Sequence, residues 1–157
     1  MISNLSHPWL HHPAFLLDNI SDVVISTDLK YHIKTWNKAA EEMFGLSGKE
    51  VMDRPIQEVL QYEFRTESRD LAWQKLKETG KWKGVLLHRT NEGKEVYLEV
   101  RSSAVKDPDG STSGFVSIYR DITVQKNLEK MLIEEEQRKK REIIQAIMEA
   151  RRRNDGK

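Results

Sequence analysis

From Lys81 to about Arg120 the apolar side chains recur every second residue. In Val96, Leu98 and Val100 one face is apolar while Glu99 and Arg101 point the other way, the alternation of a half-buried strand. Asn91-Glu92-Gly93 and Asp107-Pro108-Asp109-Gly110 are turn-forming clusters that cut this region into three strands of an antiparallel meander. Val85, Leu86 and Leu87 are apolar on both faces, so the outer side of the sheet is expected to be covered as well, by an N-terminal helix or by a second subunit. Upstream, "DVVISTDLKYHIKTWN" reads as two strands joined by a turn at Asp28-Leu29-Lys30.

Between these two β regions the period lengthens to that of helices. "KAAEEMFG" is one or two turns stopped by Gly45, "GKEVMDRP" is stopped by Pro55, and "IQEVLQYEF" is expected to add another helical turn. "ESRDLAWQKLKETG" is a longer helix, with Leu71, Trp73 and Leu76 on its apolar side and Gly80 at its end. A short helix from about Pro13 to Asn19 precedes the first strand. The pattern predicts an α+β fold: a five-stranded antiparallel sheet with short helices on one face, an N-terminal short helix and a long C-terminal helix. The domain organisation expected is an arm and short helix over residues 1–20, a core over 21–122, and a helix over 123–157.

That last helix is the most uniform segment of the chain. From Thr123 to about Arg152 it has no glycine or proline, and strong helix formers dominate. Asp121 or Thr123 is expected to cap its first turn, without a capping box. Glu134 with Arg138, Glu135 with Lys139 and Glu136 with Lys140 are spaced for i,i+4 ion pairs. Apolar residues gather in two clusters, one including Leu128 and Leu132, the other Ile143 and Ile147. A lone helix would expose both, so pairing with a second copy as a parallel coiled coil is expected, in preference to folding back on its own domain. From Leu128 to Ile143, and again from Leu132 to Ile147, is fifteen residues, one more than two heptads, so the seam must shift between the clusters.

Charge and composition remove several classes of function. The formal net charge is +1, made up of +3 over residues 122–157 and −2 over the rest, so the core has no field suited to polyanions. "RKKR" and "RRR" would suit a nucleic-acid-binding helix, but interspersed glutamates and the lack of a separate zipper argue against it. With no cysteine there are no disulfides, no cysteine-ligated metals and no thiol nucleophile. No apolar run is long enough to cross a bilayer, and this stretch of chain is expected in the cytoplasm. His7, His11 and His12 lack a carboxylate at ligand spacing, so a flexible arm is expected there, not a metal site. Phosphate-binding glycine loops, nucleophile elbows and paired zinc histidines are all missing, and no catalysis is expected.

Four segments in order resemble the PAS family: "ISTDLKYHIKTWNKAAEEMFG", "GKEVMDRP", "HRTNEGKEVYLEV" and "GFVSIYRDITVQKNLEK", the last with the DIT motif at Asp121-Ile122-Thr123. Together they span about Leu17 to Lys130. The resemblance implies a PAS-like fold and a sensory module, often dimeric, in signalling proteins such as two-component sensor histidine kinases. It further implies a phosphorelay through a downstream transmitter domain or kinase. The unbroken joint at Asp121, Ile122 and Thr123 is expected to relay a movement of the last strand to the paired helices. Some members hold a small molecule between sheet and helices. Here Trp36, Trp73, Phe115 and Tyr119 are the aromatic residues expected to line such a cavity, with Ser117 adding a hydroxyl. Cysteine-linked flavin chemistry is excluded by composition. Haem-binding members use a histidine in the long helix before the last three strands, which this chain lacks, so no haem is expected; His32 and His88, in strands, read as surface or satisfied residues. No histidine follows His88, so a phosphoacceptor would lie outside this sequence. The competing reading is a ligand-free dimerisation or protein-interaction module.

Overall fold

The computed structural model of the protein describes residues 21–156. The chain divides into two compact units, one up to Ile122 and one from Thr123. The short helix expected over Pro13–Asn19 and the three N-terminal histidines lie outside the described residues.

The first unit contains strands β1 (Val23–Asp28) and β2 (Ile33–Trp36), then helices α1 (Lys38–Phe44), α2 (Gly48–Val51) and α3 (Ile56–Val59). Strand β3 (Tyr62–Phe64), helix α4 (Arg69–Thr79) and strands β4 (Lys81–Arg89), β5 (Glu95–Lys106) and β6 (Thr112–Asp121) complete it. The strands form one antiparallel sheet in the order β2-β1-β6-β5-β4-β3. This is the α+β architecture expected, with one more strand than the five predicted. "IQEVLQYEF" supplies the further helical turn expected, over Ile56–Val59, but its end forms a strand that was not expected. Tyr62, Glu63 and Phe64 then pair with His88, Leu87 and Leu86 at the sheet edge. Three residues are too few to display alternation, while their aromatic side chains favour a pleated surface.

The core lies between one face of the sheet and the helices. Ile25, Ile33, Leu86, Leu98 and Val100 from the strands and Val51 from α2 are almost completely buried. On α4 the buried face is Ala72 and Leu76, one turn apart, with Trp73 half-buried against the core. Leu71, expected on that face, is instead largely exposed. Gly45 and Gly80 end α1 and α4 in the left-handed conformation, and each donates its N–H to the carbonyl four residues back. Val24 and Leu87 are also buried, although they do not belong to the core cluster.

Asn37 ties the first helix to the sheet. Its buried Oδ1 accepts the Val24 N–H at 3.1 Å and the Ala40 N–H at 3.0 Å, and its Nδ2 donates to the Asp22 carbonyl at 2.9 Å. One side chain thus caps α1 and fixes its entry against β1.

The second unit is a single helix, α5 (Thr123–Asp155). Its ion pairs differ from those expected. Arg138 takes Glu135 through two nitrogens, at 2.6 and 3.1 Å, and also reaches Glu142, while Lys126 meets Glu129; the three i,i+4 pairs predicted do not form among the described residues. The planar guanidinium offers several N–H donors in a fixed fork, so it grips Glu135 through two nitrogens while a third reaches Glu142.

Candidate functional site

Alternation along the sheet decides what faces the helices. On β6, Phe115, Ser117 and Tyr119 point inward, on β5 Val100 and Ser102, and on β4 Trp82 and Leu86. Between this face and the wall made by α3, β3 and α4 lies a cavity of about 200 Å³. Trp73, Phe115, Ser117 and Tyr119, expected from the sequence, all line it. Trp36 does not. It sits on β2, at the far edge of the sheet, where its ring packs 5.6 Å from Phe44 and its Nε1 donates to the Leu46 carbonyl at 2.9 Å. An inward side chain on β2 meets α1 and the loop after it, not α4.

The cavity wall is aromatic with hydroxyls set into it. Tyr31 stacks between Trp73 (centroids 4.4 Å apart) and Phe115 (5.3 Å). The Ser102 and Ser117 hydroxyls, on registered partners of β5 and β6, are 2.6 Å apart. The Tyr62 and Tyr119 hydroxyls are 2.9 Å apart. Loss of hydration on burial pushes both phenols up, Tyr119 to about 12, so both keep their protons at neutral pH. Thr27 and Tyr31 also line the cavity, but Thr27 Oγ1 and the Tyr31 hydroxyl oxygen are themselves fully buried, and neither has a hydrogen-bond partner among the described residues.

Among the described residues one formal charge borders the cavity: Arg69, at the start of α4, whose guanidinium carbon lies 5.7 Å from the centre of the Trp73 ring. No carboxylate of the described residues lines it. Glu67, just outside, accepts the Trp82 indole N–H at 2.5 Å and pairs with Lys75 at 2.6 Å; these bonds, that to Lys75 foremost, hold its carboxyl below the usual range. It thereby fastens the approach to α4 against β4.

Sequence reasoning passed over Thr27, Tyr31, Tyr62 and Ser102. Thr27 and Ser102 carried a signal, since each continues an inward-facing series, Val23–Ile25–Thr27 and Leu98–Val100–Ser102. Tyr31 carried none. It follows the turn in a left-handed conformation (φ 64°) that a bulky residue rarely adopts.

His32 lies just before β2, bridged to Pro55, and His88 lies on β4. His32 is satisfied: its backbone N–H and its Nδ1 both meet the Asp28 carboxylate, at 2.9 and 3.3 Å. His88 is half-buried, and one of its ring nitrogens is unsatisfied among the described residues. Its ring meets Phe44 edge-on at 5.0 Å, its Nδ1 is buried without a partner among the described residues, and burial pulls its pKa down.

A family model described as the PAS fold matches residues 11–122. The PAS domain of a protein from Colwellia psychrerythraea is similar at 23% identity and a TM-score of 0.58, over 73% of this chain and 97% of that one. The PAS domain of nitrogen regulation protein NR(II) from Vibrio parahaemolyticus is similar at 18% identity and a TM-score of 0.58, over 71% and 98%. An RNA-binding light-oxygen-voltage receptor is similar at 17% identity and a TM-score of 0.64, over 85% of this chain and 39% of the receptor's. At these identities the likeness is one of fold. No curated protein matches the chain. No described helix is long and apolar enough to cross a membrane. With the family match covering the whole sheet and its helices, the chain belongs to the PAS family, whose domains are typically sensory and not catalytic.

Proposed function

We propose that this chain is the sensory and dimerisation region of a signalling protein of the two-component histidine kinase type, acting in the cytoplasm ahead of a transmitter domain. Occupancy of the cavity by a small molecule shifts β6. The Asp121-Ile122-Thr123 joint then passes the shift to α5, which pairs with its counterpart in a second copy through Leu128, Leu132, Ile143 and Ile147. One observation carries this reading: the strand that lines the cavity with Phe115, Ser117 and Tyr119 ends at Asp121, and α5 begins at Thr123 with a single residue between. That residue, Ile122, donates its N–H to the Tyr97 carbonyl at 2.8 Å.

Pairing is supported by exposure. In the single chain Leu128, Leu132, Ile143 and Ile147 are each more than half exposed, at 54–68%. Left in water, two such clusters on one helix favour association. The fifteen-residue offset between the clusters breaks the heptad repeat, so the seam must shift along the helix, and a seam with two nearly equal packings would be the kind of bistable element that a small displacement can bias.

The natural absence of cysteine makes the test direct. A single Leu132→Cys substitution in the full chain reports helix pairing as disulfide cross-linking. The reading predicts a dimer by sedimentation that weakens when residues 123–157 are removed, and a cross-linking rate that changes when the cavity is occupied. An equally stable dimer after truncation would refute pairing through α5. A cross-linking rate indifferent to every bound molecule would leave a module for dimerisation alone.

A further inference from the structure

We propose that the cavity takes a small aromatic monocarboxylate, with its ring inside and its carboxylate held at the opening by Arg69, Gln57 and Gln61. This rests on the reading of the cavity as the sensory input site. Of the described side chains that line it, only these three are exposed, and the others are buried or half-buried. They therefore mark the way in. Gln57 lies on α3, Gln61 in the link to β3, and Arg69 opens α4, so three successive segments bring polar side chains to one rim.

The rim is equipped to donate hydrogen bonds to an anion. Among the described residues no ion pair or hydrogen bond engages the Arg69 guanidinium or the side-chain amides of Gln57 and Gln61. Arg69 is placed by Trp73, over whose ring it lies at 5.7 Å. A guanidinium resting on a ring keeps its N–H edge free to fork onto a carboxylate, and a primary amide can donate alongside it. A cation would meet like charge at the same place. Of the neighbouring acids, Glu67 is engaged by Trp82 and Lys75, and Glu58 and Asp70 do not line the cavity.

Further in, the polar groups are already committed. The Ser102 and Ser117 hydroxyls meet each other, as do those of Tyr62 and Tyr119, and the Trp82 indole N–H goes to Glu67. Thr27 Oγ1 and the Tyr31 hydroxyl oxygen are fully buried and present no surface to a ligand. A second charge carried inward, as in a dicarboxylate or an amino acid, would lose its hydration without compensation. What the interior does offer is aromatic, with Phe64, Trp73, Trp82 and Phe115 among its walls, and another ring complements such faces and edges. Size agrees. A cavity of about 150 Å³ holds benzene, so about 200 Å³ admits one six-membered ring with a substituent.

The test titrates the full chain at neutral pH with benzoate, benzyl alcohol and benzylamine, probes of one ring that differ in charge. Binding is followed by protein NMR, and Leu132→Cys cross-linking is measured with each. Benzoate should bind about tenfold more tightly than the other two. It should move the indole signals of Trp73 and Trp82 and leave that of Trp36, which lies outside the cavity. Arg69→Gln, at an exposed position, should remove most of the advantage, and Arg69→Lys, which keeps the charge without the fork, should restore only part of it. Gln57→Leu combined with Gln61→Leu should weaken benzoate by a smaller factor. Equal or tighter binding of benzyl alcohol or benzylamine, benzoate binding indifferent to Arg69→Gln, or signal changes confined to the rim overturns the carboxylate assignment. If one of the other two probes then alters cross-linking, the sensory reading survives that failure. Benzoate bound as described but without effect on cross-linking upholds the site and refutes the relay. If none of the three binds, the carboxylate assignment falls, while the sensory reading is still decided by whether another molecule changes the cross-linking rate.

Discussion

The hydroxyls of Tyr62 and Tyr119 meet at 2.9 Å although the two residues are 57 positions apart, joining the edge strand β3 to the strand that leads out of the core. Tyr62→Phe deprives Tyr119 of this partner inside the cavity and should lower stability by about 1–2 kcal/mol in denaturant unfolding. The double variant with Tyr119→Phe should lose less than the sum of the two single changes, because each removes the same bond.

The same pair predicts a loss of stability in alkali. Tyr119 titrates at about 12 in the folded chain against 10.0 for a free phenol. Its contribution is therefore complete below pH 10 and disappears as pH rises towards 12, where the unfolded chain has already released the proton that the fold retains. The shift corresponds to something on the order of 2–3 kcal/mol. Thermal unfolding across that range should show the fall, and Tyr119→Phe should flatten it.

His88 predicts the opposite limb. Burial depresses its pKa below the ordinary 6.5, so the fold holds the ring neutral. Its contribution is present above pH 6.5 and falls away as pH drops and the unfolded chain takes up the proton. Unfolding midpoints measured from pH 7 to pH 5 should decline less in His88→Phe than in the native chain.

Gly114 lies where β6 runs beside the end of β1. A Cβ placed there would come 2.1 Å from the Thr27 carbonyl oxygen, a backbone atom that cannot turn aside. Gly114→Ala should cost about 3 kcal/mol, at the upper end for overpacking. Amide exchange at Asp28, its registered partner, should report the local opening.

Asn37→Ala removes the acceptor shared by the Val24 and Ala40 N–H groups. A lost cap together with newly unpaired buried donors should lower stability by about 2–4 kcal/mol, read by chemical denaturation.

Period and turn chemistry made most of this fold legible. The meander from β4 to β6 followed from alternation and from Gly93 and Gly110, and α1 and α4 from Gly45 and Gly80. Strand β3 was hidden because three residues carry no period. Leu71 was misplaced because Ala72, a small residue with little weight in a hydrophobic pattern, holds the buried position beside it. In the cavity the aromatic members on β6 and α4 were visible from the sequence. Trp36 was not separable from them, because an inward direction on a strand says nothing about where that strand lies in the sheet. Tyr31 depends on one backbone angle, and nothing in the identity of a tyrosine announces it.

The sheet order places β6 between β1 and β5, hydrogen-bonded along both sides. On the proposed relay this has a cost and a benefit. A strand bonded on both flanks cannot slide alone, so the jostling of individual side chains is averaged out before it reaches α5. Only an event that moves several strands together would register, which makes the joint a threshold element that rejects noise at the expense of sensitivity.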